Sequence, residues 1–558
     1  MAATPPFQPE DSSVATAEPV PSPPPQPATL VHNVSSKTYC VIFVAGAALI
    51  LSVASLLYFY ANGMTNVYGD GIAHLNIARK VVDSADVSIW RRYIQIGSPW
   101  LPLQTLLMLP MVWNDWLWRT GLAGSFVSMV CFIITGICVY LMAESIYCRP
   151  CVYKHDRALP FFAAAVFLLN PGVLYMQTTP MTEMVFMAAV TVAVFALRRW
   201  VQEPTPAKLV GAGVAMSVAT LSRYEAWAVA AAAVAVVLVL SKGTTSQKIV
   251  RSCGYAAITA IGPAYWLWHN WAIYGNAIEF LNGPNSARGI YLRNAGNLGW
   301  SKIFVGHLFL DILLMLVDVA VCAGPILLIA ALAGIAAILM RRRLLGSSIP
   351  PIVLLAMPFA FEVFSLFRGE IQVFPLSAFG LLNVRYGLPA ILPIALLLPA
   401  VVVLFGRSGS RTSFTVVAVL VAAQYGLLIS DGPTQMALYQ EGLRNGVNSQ
   451  AAREAARAAQ YLTSHSPPGM ILMQSGSLGP LVMKGGLTFR HVIHEGTARW
   501  YSIGDTVPDD VQTIIVQSDD AVDRKIRDNP ALAHNVSKYF DEQYSTGTIR
   551  ILSRRPIE

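Results

Sequence analysis

Stretches of 18 or so apolar residues recur along this chain, and nothing else in it constrains the fold as strongly. The first covers about 39–60, from Cys40-Val41-Ile42-Phe43 to Leu57-Tyr58. An uncharged run of that length is long enough to cross the hydrocarbon of a bilayer as a helix. Backbone polar groups have no water to bond there, so each span must satisfy its own hydrogen bonds. About eleven spans can be read, near 39–60, 120–146, 158–174, 180–198, 207–221, 226–241, 250–271, 309–340, 350–366, 386–406 and 412–430. Several are shorter than a full crossing, which is tolerated where backbone is buried in protein. With 55% hydrophobic and 13% charged residues over 558 positions, a soluble enzyme is excluded. The expected fold class is mainly α: a polytopic membrane helical bundle.

Charge in the loops sets an orientation. Arg149, Lys154 and Arg157 follow the second span, and Arg198, Arg199 and Lys208 surround the fourth exit. Lys242, Lys248 and Arg251 follow the sixth, Arg341, Arg342 and Arg343 the eighth, and Arg407 and Arg411 the tenth. Basic loops stay in the cytoplasm. The N-terminus is then cytoplasmic and the chain beyond about residue 431 lies outside. The net charge of +8 is scattered among these loops, which does not suggest nucleic acid. Residues 1–38 are rich in Pro, Ala and Ser and read as a disordered cytoplasmic tail. No apolar stretch near the start suits a cleavable signal peptide.

This topology gathers the polar strings on one face. The outer segments are 61–119, the loop from Asn170 to Glu183, the junction Ser222-Arg223-Tyr224-Glu225, 272–308 and 367–385. In the first, Tyr68-Gly69-Asp70-Gly71-Ile72-Ala73-His74 opens a helix in which Ile72, Leu75, Ala78 and Val82 recur at helical spacing. Asp70 either caps that helix or does chemistry. Gly69 and Gly71 permit close backbone approach or conformations closed to other residues. His74 lies one turn on, able to orient Asp70, bind phosphate or simply pack. Trp90, Tyr93, Trp100, Trp113, Trp116 and Trp118 read as an interfacial belt. Glu183 opens an apolar span, favourable for the helix dipole but costly near lipid unless paired. Arg223 and Glu225 flank Tyr224, and Arg385-Tyr386 stands at another outer entrance with Arg368 and Glu370 upstream. Arginine forks hold phosphate oxygens, and a carboxylate can deprotonate a hydroxyl. That combination suits a phosphate-bearing substrate at a membrane surface.

The strings YGDGIAHLNIAR, NPGVLYMQTTPMTE, LSRYEAW and VRYGLPAILP resemble the GT-C integral-membrane glycosyltransferases, in the bacterial branch akin to the protein mannosyltransferase and ArnT-like group. The resemblance covers roughly residues 39–430. It implies a GT-C-like catalytic domain that moves a sugar from a polyprenyl-phosphate donor to an acceptor hydroxyl, on a glycan, lipid or protein, at the outer face of a bacterial inner membrane. It implies inversion, with Asp70 as general base. His74, Arg79, Glu183, Arg223, Tyr224, Glu225, Arg385 and Tyr386 become the candidates for substrate and phosphate. Relatives often carry two adjacent acidic residues in the first loop. Here Gly71 follows Asp70, which leaves Glu183 as the second carboxylate and Asp70 with Glu183 as the pair for any divalent cation, Mg or Mn.

Residues 432–558 are more polar. Ala451–Tyr461 and Asp520–Asp528 read as helices; Met470–Met473, Thr513–Val516 and Thr548–Leu552 read as strands. Together they suggest a small extracytoplasmic α/β domain. His491, His494 and Glu495 read as a surface loop. Cys148 and Cys151 form a lone CxxC, a weak zinc signal. The competing reading is a polytopic transporter or lipid flippase, whose charges would sit inside the spans. Asp311 and Asp318, seven apart on one helix face, are the main residues of that kind, and are expected to meet an outer cavity or partner arginines.

Overall fold

The computed structural model describes residues 28–84, 88–148, 157–294, 299–340, 342–405, 411–430, 432 and 435–556. Arg149, Cys151, Lys154, Arg341 and Arg407 lie outside them, and with them part of the loop-charge pattern and the CxxC pair. Contacts divide the chain into Met1–Phe43 and Val44–Glu558, a boundary inside the first helix. That helix, α1, covers Ala28–Ala61, so helical structure begins inside the segment expected to be disordered to residue 38. Of its first part, Tyr39, Ile42 and Phe43 are exposed, as lipid-facing side chains would be.

The second unit begins with the rest of α1. Next come α2 (Gly69–Asp83), α3 (Leu122–Tyr147), α4 (Glu183–Gln202) and α5 (Glu225–Leu240). Further on are α6 (Leu308–Ala323), α7 (Pro325–Met340), α8 (Arg342–Phe367), α9 (Ile391–Phe405), α10 (Arg411–Ile429) and α11 (Ala437–Leu443). Six described helices are long and apolar enough to cross a bilayer, or seven if α6 and α7 make one span. Shorter apolar helices cover Ala158–Leu168, Pro206–Ala219 and Glu225–Leu240. The reading of about eleven spans counted such short segments as well.

Several expected spans are broken, among them 158–174, which divides into helices Ala158–Leu168 and Pro171–Met176. Residues 309–340 form α6 and α7, bent by 110°. The break is at Gly324, where φ is +102° and an added Cβ would lie 2.2 Å from Gln424. Pro325 follows, which also disfavours helical geometry at the residue before it. Residues 250–271 divide between helices Thr245–Thr259 and Ile261–Tyr274.

Beyond the last span, the α/β region carries a five-stranded sheet in the order β2-β1-β3-β5-β4. The strands are β1 (Met470–Met473), β2 (Val492–Ile493), β3 (Val511–Gln517), β4 (Phe540–Thr546) and β5 (Ile549–Arg554). β1 runs parallel to β2 and β3, while β5 is antiparallel to β3 and β4. Leu472, Ile493, Ile514, Val516 and Leu552 bury one core with Trp500, Val522 and Phe540. The parallel core strands are apolar runs, as doubly covered strands are. β4 is an edge strand with a charged, exposed middle, so its period gave no apolar signal.

His491 is exposed, as a surface loop would be, but His494 is buried and Glu495 half-buried against α2. Lys80 of α2 donates to Ser475 Oγ at 2.6 Å, and Ser475 Oγ donates to Glu495 Oε1 at 2.9 Å. Burial, and then the charge of Lys80, press the His494 imidazole down to about 3. Asp83, at the other end of α2, pairs with Arg79 at 3.0 Å and with Arg490.

Candidate active site

Tyr68 precedes α2 in an extended conformation and makes no side-chain cap. Asp70, in the first helical turn, does not cap it either. Its carboxylate accepts from Arg385 Nη2 at 2.5 Å. The Asp70 side chain is 43% exposed, whereas that of Arg385 is 7% exposed. Gly71 is the glycine that matters here: a Cβ would lie 2.9 Å from Pro180 Cγ, so α2 packs directly on the loop leading to Glu183. Gly69 meets nothing within 4 Å, so close approach does not explain it.

The other strings converge on the same place. Arg385 Nε lies 3.0 Å from Glu183 Oε1, an ion pair without hydrogen-bond alignment. The same Glu183 oxygen accepts from Arg223 Nη1 at 2.9 Å. Glu183 thus joins the two guanidinium groups, and its other oxygen, buried, has no hydrogen-bond partner among the described residues. Arg223 also donates to Glu225 Oε1 from Nε at 2.6 Å and to Thr182 Oγ1 at 3.2 Å. The Tyr386 ring lies beneath both cations, 5.1 Å from Arg223 Cζ and 5.2 Å from Arg385 Cζ. Asp70, Glu183, Arg223, Glu225, Arg385 and Tyr386, scattered over more than three hundred positions, form one cluster.

Three candidates are placed elsewhere or differently. Arg79 is held by Asp83, by Asp115 at 2.6 Å and by the Val112 carbonyl at 2.7 Å. Tyr224 donates to the Pro99 carbonyl at 3.2 Å, accepts from Trp266 and stacks on Phe280. His74 is buried beside Trp100, with ring centroids 4.7 Å apart. Burial drives its pKa down to about 4, against the pull of Asp70 and with the push of Arg223 and Arg385. A neutral imidazole is not a phosphate-binding cation. Of the expected belt, Trp90, Trp113 and Trp116 are exposed, but Trp118 is fully buried between Arg79 and Arg119.

The lowered His74 pKa has a consequence for stability. In unfolded chain a histidine titrates near 6.5, so between pH 6.5 and 4 the unfolded state binds a proton that the folded state refuses. Stability therefore falls as pH drops through that window, by up to about 3 kcal/mol from this one group. His74→Gln is expected to flatten the decline. Melting temperatures in detergent at pH 7 and 4.5 check it; an unchanged difference between the two pH values contradicts the assignment.

Sequence reasoning missed two carboxylates. Glu362, on α8, lies 3.8 Å from Arg223 Nη2. A lone acid inside the apolar run of α8 was a usable signal, since charge at that depth is costly without a role. Glu441, on α11, lies 3.5 Å from Arg385 Nη1 and accepts the backbone N–H groups of Asn383 and Val384. Burial holds its carboxyl above the usual range, opposed by Arg385 and those two N–H groups. Nothing in the local sequence marks it. Five carboxyl groups thus surround two guanidiniums. Asp311 and Asp318 are fully buried, and neither forms an ion pair with an arginine among the described residues; Asp318 packs against Gly387, two residues from Arg385. Arg368 pairs with Glu370 instead, at 3.5 Å. Among the described residues, no group of three or more His, Cys, Asp or Glu side chains is arranged to hold a metal ion.

Comparison with known proteins now bears on this geometry. Residues 118–268 match the family described as dolichyl-phosphate-mannose-protein mannosyltransferase. No curated protein sequence matches the chain. Among solved structures, it is similar to ArnT from Cupriavidus metallidurans bound to undecaprenyl phosphate, at 12% identity and a TM-score of 0.53, over 92% of this chain and 98% of that one. Weaker similarity extends to the apo state of that ArnT, at 15% identity, a TM-score of 0.47, 93% of this chain and 98% of that one. It also extends to the Archaeoglobus fulgidus oligosaccharyltransferase tethered to an acceptor peptide, at 12% identity, a TM-score of 0.44, 93% of this chain and 74% of that one. The chain is an integral, multi-pass membrane protein with the GT-C glycosyltransferase fold, and its residues 118–268 carry the protein mannosyltransferase sequence pattern.

Proposed function

We propose that this protein transfers a sugar from a polyprenyl-phosphate donor to an acceptor hydroxyl, with Asp70 as general base. One observation carries the reading: the half-exposed Asp70 carboxylate sits on a buried arginine that shares Glu183 with a second arginine. Asp70 takes the acceptor proton as the hydroxyl oxygen bonds to the anomeric carbon. The bond from that carbon to the phosphate oxygen breaks, and the electron pair leaves with the polyprenyl phosphate. Arg385 and Arg223 stabilise the charge that develops on the phosphate. A single displacement inverts the anomeric centre.

The alternating basic loops support a cytoplasmic N-terminus and an extracytoplasmic site and C-terminal region; a bacterial inner membrane is what the family resemblance implies. The arginines supply positive charge that a divalent cation would otherwise bring; Mg or Mn, if used, would bind Asp70 and the unpartnered oxygen of Glu183. The similar ArnT structure is bound to undecaprenyl phosphate, which supports a donor of that class. Mass spectrometry of lipids co-purifying with the protein tests this. A polyprenyl phosphate at near-stoichiometric amount is expected; phospholipid alone argues against it.

A transporter would use the bend between α6 and α7 and the buried Asp318. Asp318→Asn separates the two readings. Sugar transfer is expected to survive it, whereas substrate movement without transfer, abolished by that change, favours the transporter.

A further inference from the structure

Glu441 comes from outside the apolar spans, yet it reaches the centre of the cluster. Its side chain is 3% exposed. Oε1 accepts the Asn383 N–H at 2.7 Å and Oε2 accepts the Val384 N–H at 3.2 Å. Those two groups open the helical turn Val384–Ala390, where backbone donors have no partner of their own. Asn383 itself is left-handed, with φ 56°, a conformation that surrounding contacts must hold. Arg385 follows directly.

The same stretch of chain also grips the turn before Asp70. The Tyr68 hydroxyl donates to the Leu438 carbonyl of α11. A Cβ on Gly442 would lie 2.8 Å from Val67 Cγ2, and one on Gly446 would lie 1.8 Å from the Val67 carbonyl oxygen. Only glycine allows that approach. Residues 438–446 therefore touch both halves of the site: Val67 and Tyr68 ahead of Asp70, and Asn383 and Val384 ahead of Arg385.

We infer that Glu441 is a positioning residue that holds Arg385 where it meets both Asp70 and the donor phosphate. This rests on the glycosyl-transfer reading above. Glu441 does so in two ways. It caps the 383–384 turn, which a neutral acceptor could do in part, and it places a carboxyl 3.5 Å from the Arg385 Nη1, which a neutral acceptor could not replace. A purely structural cap would make only the first contribution.

Two variants separate these roles. Glu441→Gln keeps an oxygen for the turn and loses the charge; Glu441→Ala loses both. With a polyprenyl-phosphate sugar as donor, Glu441→Gln is expected to raise donor KM about tenfold, with a melting temperature in detergent lowered less than that of Glu441→Ala. Glu441→Ala is expected to lower kcat/KM roughly a hundredfold, beyond any loss of folded protein. Binding of undecaprenyl phosphate to purified protein should weaken in the same order. Wild-type donor KM and undecaprenyl-phosphate affinity in folded Glu441→Gln would overturn the inference and leave the transferase reading intact. Should the alanine variant fail to fold, the glutamine variant still decides. A wild-type protein that neither binds undecaprenyl phosphate nor transfers sugar overturns both.

Discussion

Asp70→Asn is expected to reduce sugar transfer by about 10²–10⁴-fold, the usual contribution of a positioned general base. The asparagine is nearly the same shape and can still accept from Arg385 through its carbonyl oxygen, so folding should be preserved. It cannot take a proton. Donor affinity should behave oppositely to turnover. In the wild type, the Asp70 carboxylate takes a well-aligned hydrogen bond from Arg385, at 2.5 Å, the one such bond of Arg385 among the described residues. Removing that charge weakens the competing hold on the guanidinium, so undecaprenyl phosphate should bind at least as tightly as to the wild type. Kinetics over a donor range, with direct binding of undecaprenyl phosphate, tests both halves. Undiminished turnover by folded Asp70→Asn rules out the base assignment. Turnover and donor affinity falling together would instead make Asp70 part of the donor site.

The second large effect is at Arg385. Arg385→Ala leaves Glu183 and Glu441 buried without their shared cation, and breaking a buried pair in this way costs about 3–5 kcal/mol. Melting temperature should fall accordingly, and loss of activity in that variant says little about chemistry. Arg385→Lys is the informative change. The charge remains, but a single ammonium cannot span Asp70, Glu183 and Glu441 as the planar fork does. Transfer is expected to drop about a hundredfold, with donor KM raised, in protein that stays folded. A lysine variant with wild-type kinetics would show that the fork geometry carries no part of the reaction.

How much of this was legible beforehand differs by element. The strands Met470–Met473 and Val511–Gln517 were readable because each holds a short buried apolar run, Met470–Met473 itself and Ile514-Ile515-Val516. β4 was not, because an edge strand faces water and carries Asp541, Glu542 and Gln543. The break at Gly324 was invisible to a hydropathy reading, which sees apolar length and not a backbone dihedral. At the site, Asp70, Glu183, Arg223 and Arg385 stood out because charge at the edge of an apolar span is costly. Arg79 and Tyr224, drawn from the same polar strings, went elsewhere, since helix direction decides which neighbour a side chain meets.

By itself the sequence determined that the chain must be a bundle of membrane helices. Long uncharged runs leave the backbone no other way to satisfy its hydrogen bonds in lipid. Its loop charges also gave the expectation that the polar strings share one face. The tertiary structure decided their pairing: that Asp70 meets Arg385 and does not cap its helix, that Glu183 bridges two arginines, and that His74 is buried neutral. It alone brought in Glu441, because a carboxylate on a polar helix beyond the last span has no periodic signature. Its role arises only where the folded chain lays it against the turn that presents Arg385.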